Sequence, residues 1–246
     1  MNVDVGTDEY YAVLDAGTRQ LASSHVGRAL GLFPGSYAVR INNTEGRADV
    51  RASEITNVPA GVLLVHGPTD EYYAVADNAG KQLASAHLEK PLGLFPGTYN
   101  VKLNNTSAAV TVTARVTSEV KAGTMVLQGA TDEYYAVLDS AGTQLASAHL
   151  GRPLSLTPGT YRAKLNNTAM PVQVEAGRVG EYHSGSLTVV TTKSGYYVVL
   201  DTSGTQLVSK QVNQPVSLIP GKYSVKLGDN SRSATVTAGQ SVVLNW

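Results

Sequence analysis

Internal repetition constrains this chain more than any other feature. Tyr10–Tyr11, Tyr72–Tyr73, Tyr134–Tyr135 and Tyr196–Tyr197 recur at a spacing of 62 residues. Pro34–Gly35–Ser36–Tyr37, Pro96–Gly97–Thr98–Tyr99, Pro158–Gly159–Thr160–Tyr161 and Pro220–Gly221–Lys222–Tyr223 keep the same register. The chain is therefore read as four copies of one unit, at 1–60, 61–122, 123–184 and 185–246. A unit this short buries only about 60% of its unfolded surface, so each copy is marginal alone. There is no cysteine, hence no disulfide to make up the deficit. The copies are expected to pack on one another, as repeat architectures do.

Within each copy the pattern is that of strands. A short apolar opener (Val62-Leu63-Leu64-Val65 in the second copy) precedes the strand of the double tyrosine. In that strand Tyr10, Ala12 and Leu14 point one way and Tyr11 and Val13 the other, because strand side chains alternate. Both faces are apolar, so both are expected to be covered. Asp15-Ala16-Gly17-Thr18 and its counterparts read as turns, with Asp bonding its own backbone and Gly supplying positive φ. A third strand and the Pro-Gly corner follow. Tyr99, Val101 and Leu103 then alternate with Thr98, Asn100 and Lys102, the mark of a half-buried antiparallel strand. The Asn-Asn-Thr triplets at 42–44, 104–106 and 166–168 read as hairpin turns, with Gly228-Asp229-Asn230 in the last copy. A closing strand such as Val110-Thr111-Val112 ends each unit, and the links between units are short, Arg178–Gly185 being the expected bend. No window carries helical periodicity. The expected fold is all-β: four tandem antiparallel β-sandwich repeats, closely packed. The alternative is a closed four-bladed ring, since four to five strands per unit also suit a propeller blade.

Leu154-Ser155-Leu156-Thr157-Pro158-Gly159-Thr160-Tyr161 and its counterparts, with Ala176-Gly177 and Ala238-Gly239, resemble PEGA-type repeats. They also resemble the related carboxypeptidase-regulatory-like β-sandwich modules of bacterial envelope proteins. That resemblance implies a small β-sandwich used as a spacer or binding module, without catalysis.

Charge excludes some classes of partner. Nineteen basic residues balance nineteen acidic ones, so no net field draws the chain to nucleic acid. No apolar run approaches the roughly 18 residues needed to cross a bilayer, so membrane insertion is not expected. Low charge with abundant Gly, Ala, Ser, Thr and Val fits an extracellular or periplasmic protein. The start, Met-Asn-Val-Asp-Val, lacks the basic region and apolar core of a signal peptide, so export implies a signal already removed. The expected partner is another protein or a cell-surface polysaccharide. No zinc-protease, nucleophile-elbow, P-loop, dinucleotide or EF-hand motif is present, and no enzyme activity, cofactor or metal is expected.

Three features recur in the first three copies alone. They are Asp8-Glu9, Asp70-Glu71 and Asp132-Glu133; His25, His87 and His149; and Asn42, Asn104 and Asn166. The fourth copy has Ser194-Gly195, Gln211 and Gly228 instead. Residues 69–106 and 131–168 agree at 29 of 38 positions, so recent duplication explains much of the recurrence. Either the fourth copy is a cap without a site, or those residues carry none. As a ligand site, each acidic pair would hold a sugar hydroxyl or Ca²⁺, with Tyr10, Tyr72 or Tyr134 as stacking plate and the asparagine beside it. Multivalent carbohydrate binding by copies one to three is the alternative function.

Overall fold

The computed structural model describes residues 1–246 and contains strands and turns with no helix. It divides into two compact units, Met1–Ala122 and Gly123–Trp246, each holding two repeats. In the first unit, repeat one runs through β1 (Asn2–Asp4), β2 (Tyr10–Leu14), β3 (Gln20–His25), β4 (Gly35–Ile41), β5 (Thr44–Val50) and β6 (Asn57–Pro59). Repeat two runs through β7 (Gly61–His66), β8 (Tyr72–Ala76), β9 (Gln82–His87), β10 (Leu92–Leu94), β11 (Gly97–Leu103), β12 (Thr106–Val112) and β13 (Thr117–Lys121). In the second unit, repeat three comprises β14 (Gly123–Gln128), β15 (Tyr134–Leu138), β16 (Gln144–His149), β17 (Leu154–Leu156), β18 (Gly159–Leu165), β19 (Thr168–Val174) and β20 (Val179–His183). Repeat four comprises β21 (Gly185–Val190), β22 (Tyr196–Leu200), β23 (Gln206–Gln211), β24 (Val216–Leu218), β25 (Gly221–Leu227), β26 (Asn230–Val236) and β27 (Ser241–Asn245).

Repeat two shows the plan. A four-stranded antiparallel sheet, β9-β8-β11-β12, faces a three-stranded sheet, β10-β7-β13. Between them lie Leu63, Val65, Tyr73, Val75, Leu92, Leu94, Tyr99, Val101, Leu103 and Val112. Of these, Tyr99, Val101 and Leu103 are inward as alternation in the sequence assigns them. The second tyrosine of each pair is a core residue with a satisfied hydroxyl: Tyr11, Tyr73, Tyr135 and Tyr197 donate to the carbonyls of Arg28, Lys90, Arg152 and Gln214. Burial, joined by the charge of Glu9 and Glu133, raises the phenols of Tyr73 and Tyr197 far above their usual range, so they stay protonated donors.

Several expectations need correction. The smaller sheet is mixed, because β13 pairs in parallel with β7, from Thr117↔Val62 to Lys121↔His66. What reads as a link after the closing strand is therefore one more strand. The expected bend at 178–185 is likewise β20, parallel to β14 from Thr124↔Val179 to Gln128↔His183. Lying along the opener satisfies backbone groups that a bend would leave to water. This close return needs glycine at Gly61, where a Cβ would stand 2.2 Å from the Thr113 carbonyl oxygen. Each complete repeat is two facing sheets and no sheet closes on itself, so the propeller alternative, one sheet per blade, does not hold. Tyr10, Tyr72 and Tyr134 are each 64% exposed, so the outer face of their strand is open at that end rather than covered. In the first Asp turn, the left-handed residue is Thr18 (φ 66) and not Gly17, since Thr18 occupies the place of Gly80.

Candidate functional site

The Asn-Asn-Thr turns are built by left-handed asparagines: Asn42 and Asn43 have φ of 46 and 56, and Asn166 and Asn167 have 47 and 59. Asn tolerates that region better than most residues, which is why a two-residue hairpin accepts it twice. The turn thrusts two side-chain amides and a threonine hydroxyl outward from the end of the larger sheet. They land on the third strand and on the short strand before the Pro-Gly corner of the following repeat.

In the first unit Asn42 Nδ2 donates to the Gly93 carbonyl at 3.1 Å, and Asn43 Nδ2 to the Leu83 carbonyl at 2.7 Å. The Phe95 N–H donates to Thr44 Oγ1 at 3.0 Å, and the Gly93 N–H to Glu9 Oε2 at 2.7 Å. Thr7 and Asn42 also donate to the Glu9 carboxylate. The second unit repeats the set. Asn166 binds the Ser217 carbonyl (2.9 Å), Asn167 the Leu207 carbonyl (2.9 Å), Thr168 Oγ1 the Ile219 N–H (3.2 Å), and Glu133 Oε2 the Ser217 N–H (2.8 Å). The same four bonds thus join repeat one to two and repeat three to four. Charge-assisted bonds to a carboxylate are worth about 1.5–3 kcal/mol each, against about 1 for neutral ones.

An apolar knob completes each joint. Phe95 of repeat two is buried in the core of repeat one, among Val39, Ile41 and Val50. Ile219 of repeat four is buried in the core of repeat three. Room is made to measure: a Cβ on Gly46 would stand 2.5 Å from the Phe95 ring, whereas Met170, in the place of Gly46, packs on the cluster holding the smaller Ile219. Glu133 gains a further partner in Lys210 Nζ at 3.2 Å. Burial would raise its pKa, but the Ser217 N–H, Thr131, Lys210 and Asn166 outweigh that and hold it below the usual carboxylate value.

The residues singled out from sequence fall into two groups. Glu9, Glu133, Asn42 and Asn166 lie in the joints. Glu71 accepts from Thr69 and from Asn104 (2.5 Å for each). Asp8, Asp70 and Asp132, with Tyr10, Tyr72 and Tyr134, lie on the surface. There each tyrosine stacks on a histidine of the adjacent strand, His25, His87 or His149, with ring centroids 3.9, 3.7 and 3.8 Å apart. The aspartate sits 3.5, 2.8 and 2.7 Å from the same ring's Nδ1, an ion-pair distance without the alignment of a hydrogen bond at His87 and His149. Thr44, Asn43 and Phe95 complete the joints without having been singled out from sequence; for Asn43 and Thr44 the signal was the loss of Asn-Asn-Thr, together with Asp-Glu, from the last copy alone.

No protein-family model matches the chain, and no curated protein matches it. Among solved structures, the Bacillus anthracis TIE protein aligns at 12% identity and a TM-score of 0.24, over 96% of this chain and 65% of that one. BcpA, the major pilin subunit of Bacillus cereus, aligns at 10% and 0.22, over 76% of this chain and 98% of that one. Its D312A variant gives 11% and 0.22 over the same shares. Likenesses of this size carry no functional conclusion.

Proposed function

We propose that this is a structural repeat protein of the bacterial envelope or extracellular space, without catalysis, in which the two modules of each unit are locked together to hold or present other groups. What carries this reading is where the recurring polar residues go. In both joints the glutamate, the two asparagines and the threonine are spent on the neighbouring repeat rather than gathered round a reacting atom. Single-molecule stretching tests it: repeats one and two yield together, and a chain with Glu9→Ala, Thr44→Ala and Phe95→Ala yields in separate smaller steps. Independent yielding of every repeat in the unaltered chain refutes the locked pair. A hydrolytic or transfer activity abolished by a single substitution refutes the absence of catalysis.

A second reading, weak multivalent carbohydrate binding, draws on the exposed Asp–Tyr–His clusters. A groove lined by Tyr10, Gln20, Ser23, Arg40, Asn42 and Asn43 runs beside the first. Three such sites on one chain would gain avidity without new contacts. The aspartates are the clean probe, since the glutamates serve the joints. On a glycan array, a chain with Asp8→Ala, Asp70→Ala and Asp132→Ala loses the binding the parent shows; equal binding, or none by the parent, removes this site.

A further inference from the structure

The surface that receives a preceding repeat is present on repeat one, and there it stands open. Strand β10 offers its joint the Gly93 N–H and carbonyl, Phe95 just beyond it offers its N–H and ring, and β9 offers the Leu83 carbonyl. In register 62 residues earlier stand Gly31, Phe33 and Leu21. Phe33 is 87% exposed where Phe95 is 3% exposed, and Leu21 is 44% exposed. Gly31 is exposed where Gly93 is buried. Yet the geometry behind this face is that of the other repeats: Leu30 exchanges backbone bonds with Met1 (2.8 and 2.9 Å), and Tyr37 donates to the Phe33 carbonyl at 2.8 Å, as Tyr99 does to Phe95. Burying the Phe33 ring against a partner, as Phe95 is buried, would remove its apolar surface from water.

We propose that the face formed by Leu21, Gly31 and Phe33 is a docking surface for one further β-repeat of this type, one whose edge carries Thr-x-Glu before its double tyrosine and Asn-Asn-Thr in its hairpin. The occupant follows from the joint within each unit, where that edge covers the equivalent face with the same four hydrogen bonds. The inference rests on joint geometry and not on the spacer role. It also excludes one partner. Repeat four of another copy presents Lys193, Gly195, Gly228, Asp229 and Asn230 at the five edge positions, with glycine where the carboxylate for the Gly31 N–H would be and a cation in place of the threonine. Repeat four therefore lacks the edge that this face would receive.

The test is to build that missing edge. A full chain with Lys193→Thr, Ser194→Asp, Gly195→Glu, Gly228→Asn, Asp229→Asn and Asn230→Thr presents the edge of repeat three on repeat four. Sedimentation velocity is then run on this chain, on the parent, and on the grafted chain with Phe33→Ala. Expected are a monomeric parent, a grafted chain that self-associates with concentration, and association at least about tenfold weaker once Phe33 is truncated. A folded graft that stays monomeric overturns the proposal, as does association indifferent to Phe33→Ala. Association of the parent that Phe33→Ala abolishes overturns the edge requirement. Gly195 has φ of 149, so the graft must reset that loop. Should it not fold, the full chain is extended instead with a copy of residues 63–124 placed ahead of Met1. Amide exchange at Gly31 should then slow and Phe33 should be shielded from hydroxyl-radical oxidation; no change in either refutes the docking surface.

Discussion

Phe95 and Gly46 belong to different repeats but share one space, and exchanging them for the pair used by the second unit tests whether the joint is specific packing. Gly46→Met alone drives a side chain into the Phe95 ring, whose nearest atom is 2.5 Å from where even a Cβ would sit. Overpacking of that kind costs about 1–3 kcal/mol. Phe95→Ile alone removes three carbons from a buried knob, about 2 kcal/mol at roughly 0.8 per carbon. Together the two changes recreate the Met170–Ile219 pairing, and the double variant should cost about 1 kcal/mol or less. The coupling is then about 2–3 kcal/mol in favour of the pair. Any gain in strand propensity from replacing glycine appears in both arms of the cycle and cancels. A four-module chain need not unfold in one step, so the readout is native-state amide exchange in β4 and β5, which reports local opening. Costs that add to within about 0.5 kcal/mol would show that Phe95 and Gly46 do not compete for space, and the knob argument would fail.

Three further outcomes follow from single residues. Thr18 holds a left-handed conformation that a β-branched side chain resists, so Thr18→Gly should stabilise repeat one by about 1 kcal/mol in thermal unfolding. Gly61→Ala pushes a methyl against the Thr113 carbonyl and the Val112 side chain, and should destabilise repeat two by about 1–3 kcal/mol by denaturant titration. The Glu133 carboxyl is held below its ordinary value of 4.5, so its contribution is present above that pH and is lost as pH falls through the depressed value. The stability difference between the parent and Glu133→Gln should accordingly be largest near neutrality and shrink as pH drops below 4.5, measured as unfolding midpoints across pH.

The strands, the repeat and the inward positions were legible because they are local: alternation at Tyr99, Val101 and Leu103 is a property of neighbouring residues, and so are the left-handed asparagines of a two-residue hairpin. The parallel strands β13 and β20 were not, since alternating exposure in a short segment names a strand without naming its partner. The joint was legible in part. Loss of Asp-Glu and Asn-Asn-Thr from one copy set these residues apart, but adjacency made Asp8 and Glu9 look like one feature. Alternation along the chain sends them apart, Glu9 to the next repeat's backbone and Asp8 to solvent beside His25. Composition alone decided that repeats this small and free of cysteine must lean on one another. Only the tertiary structure decided what they lean with, because Phe95 meets Gly46 and Gly93 meets Glu9 across 49 and 84 residues of chain, a separation over which sequence pattern carries no distance.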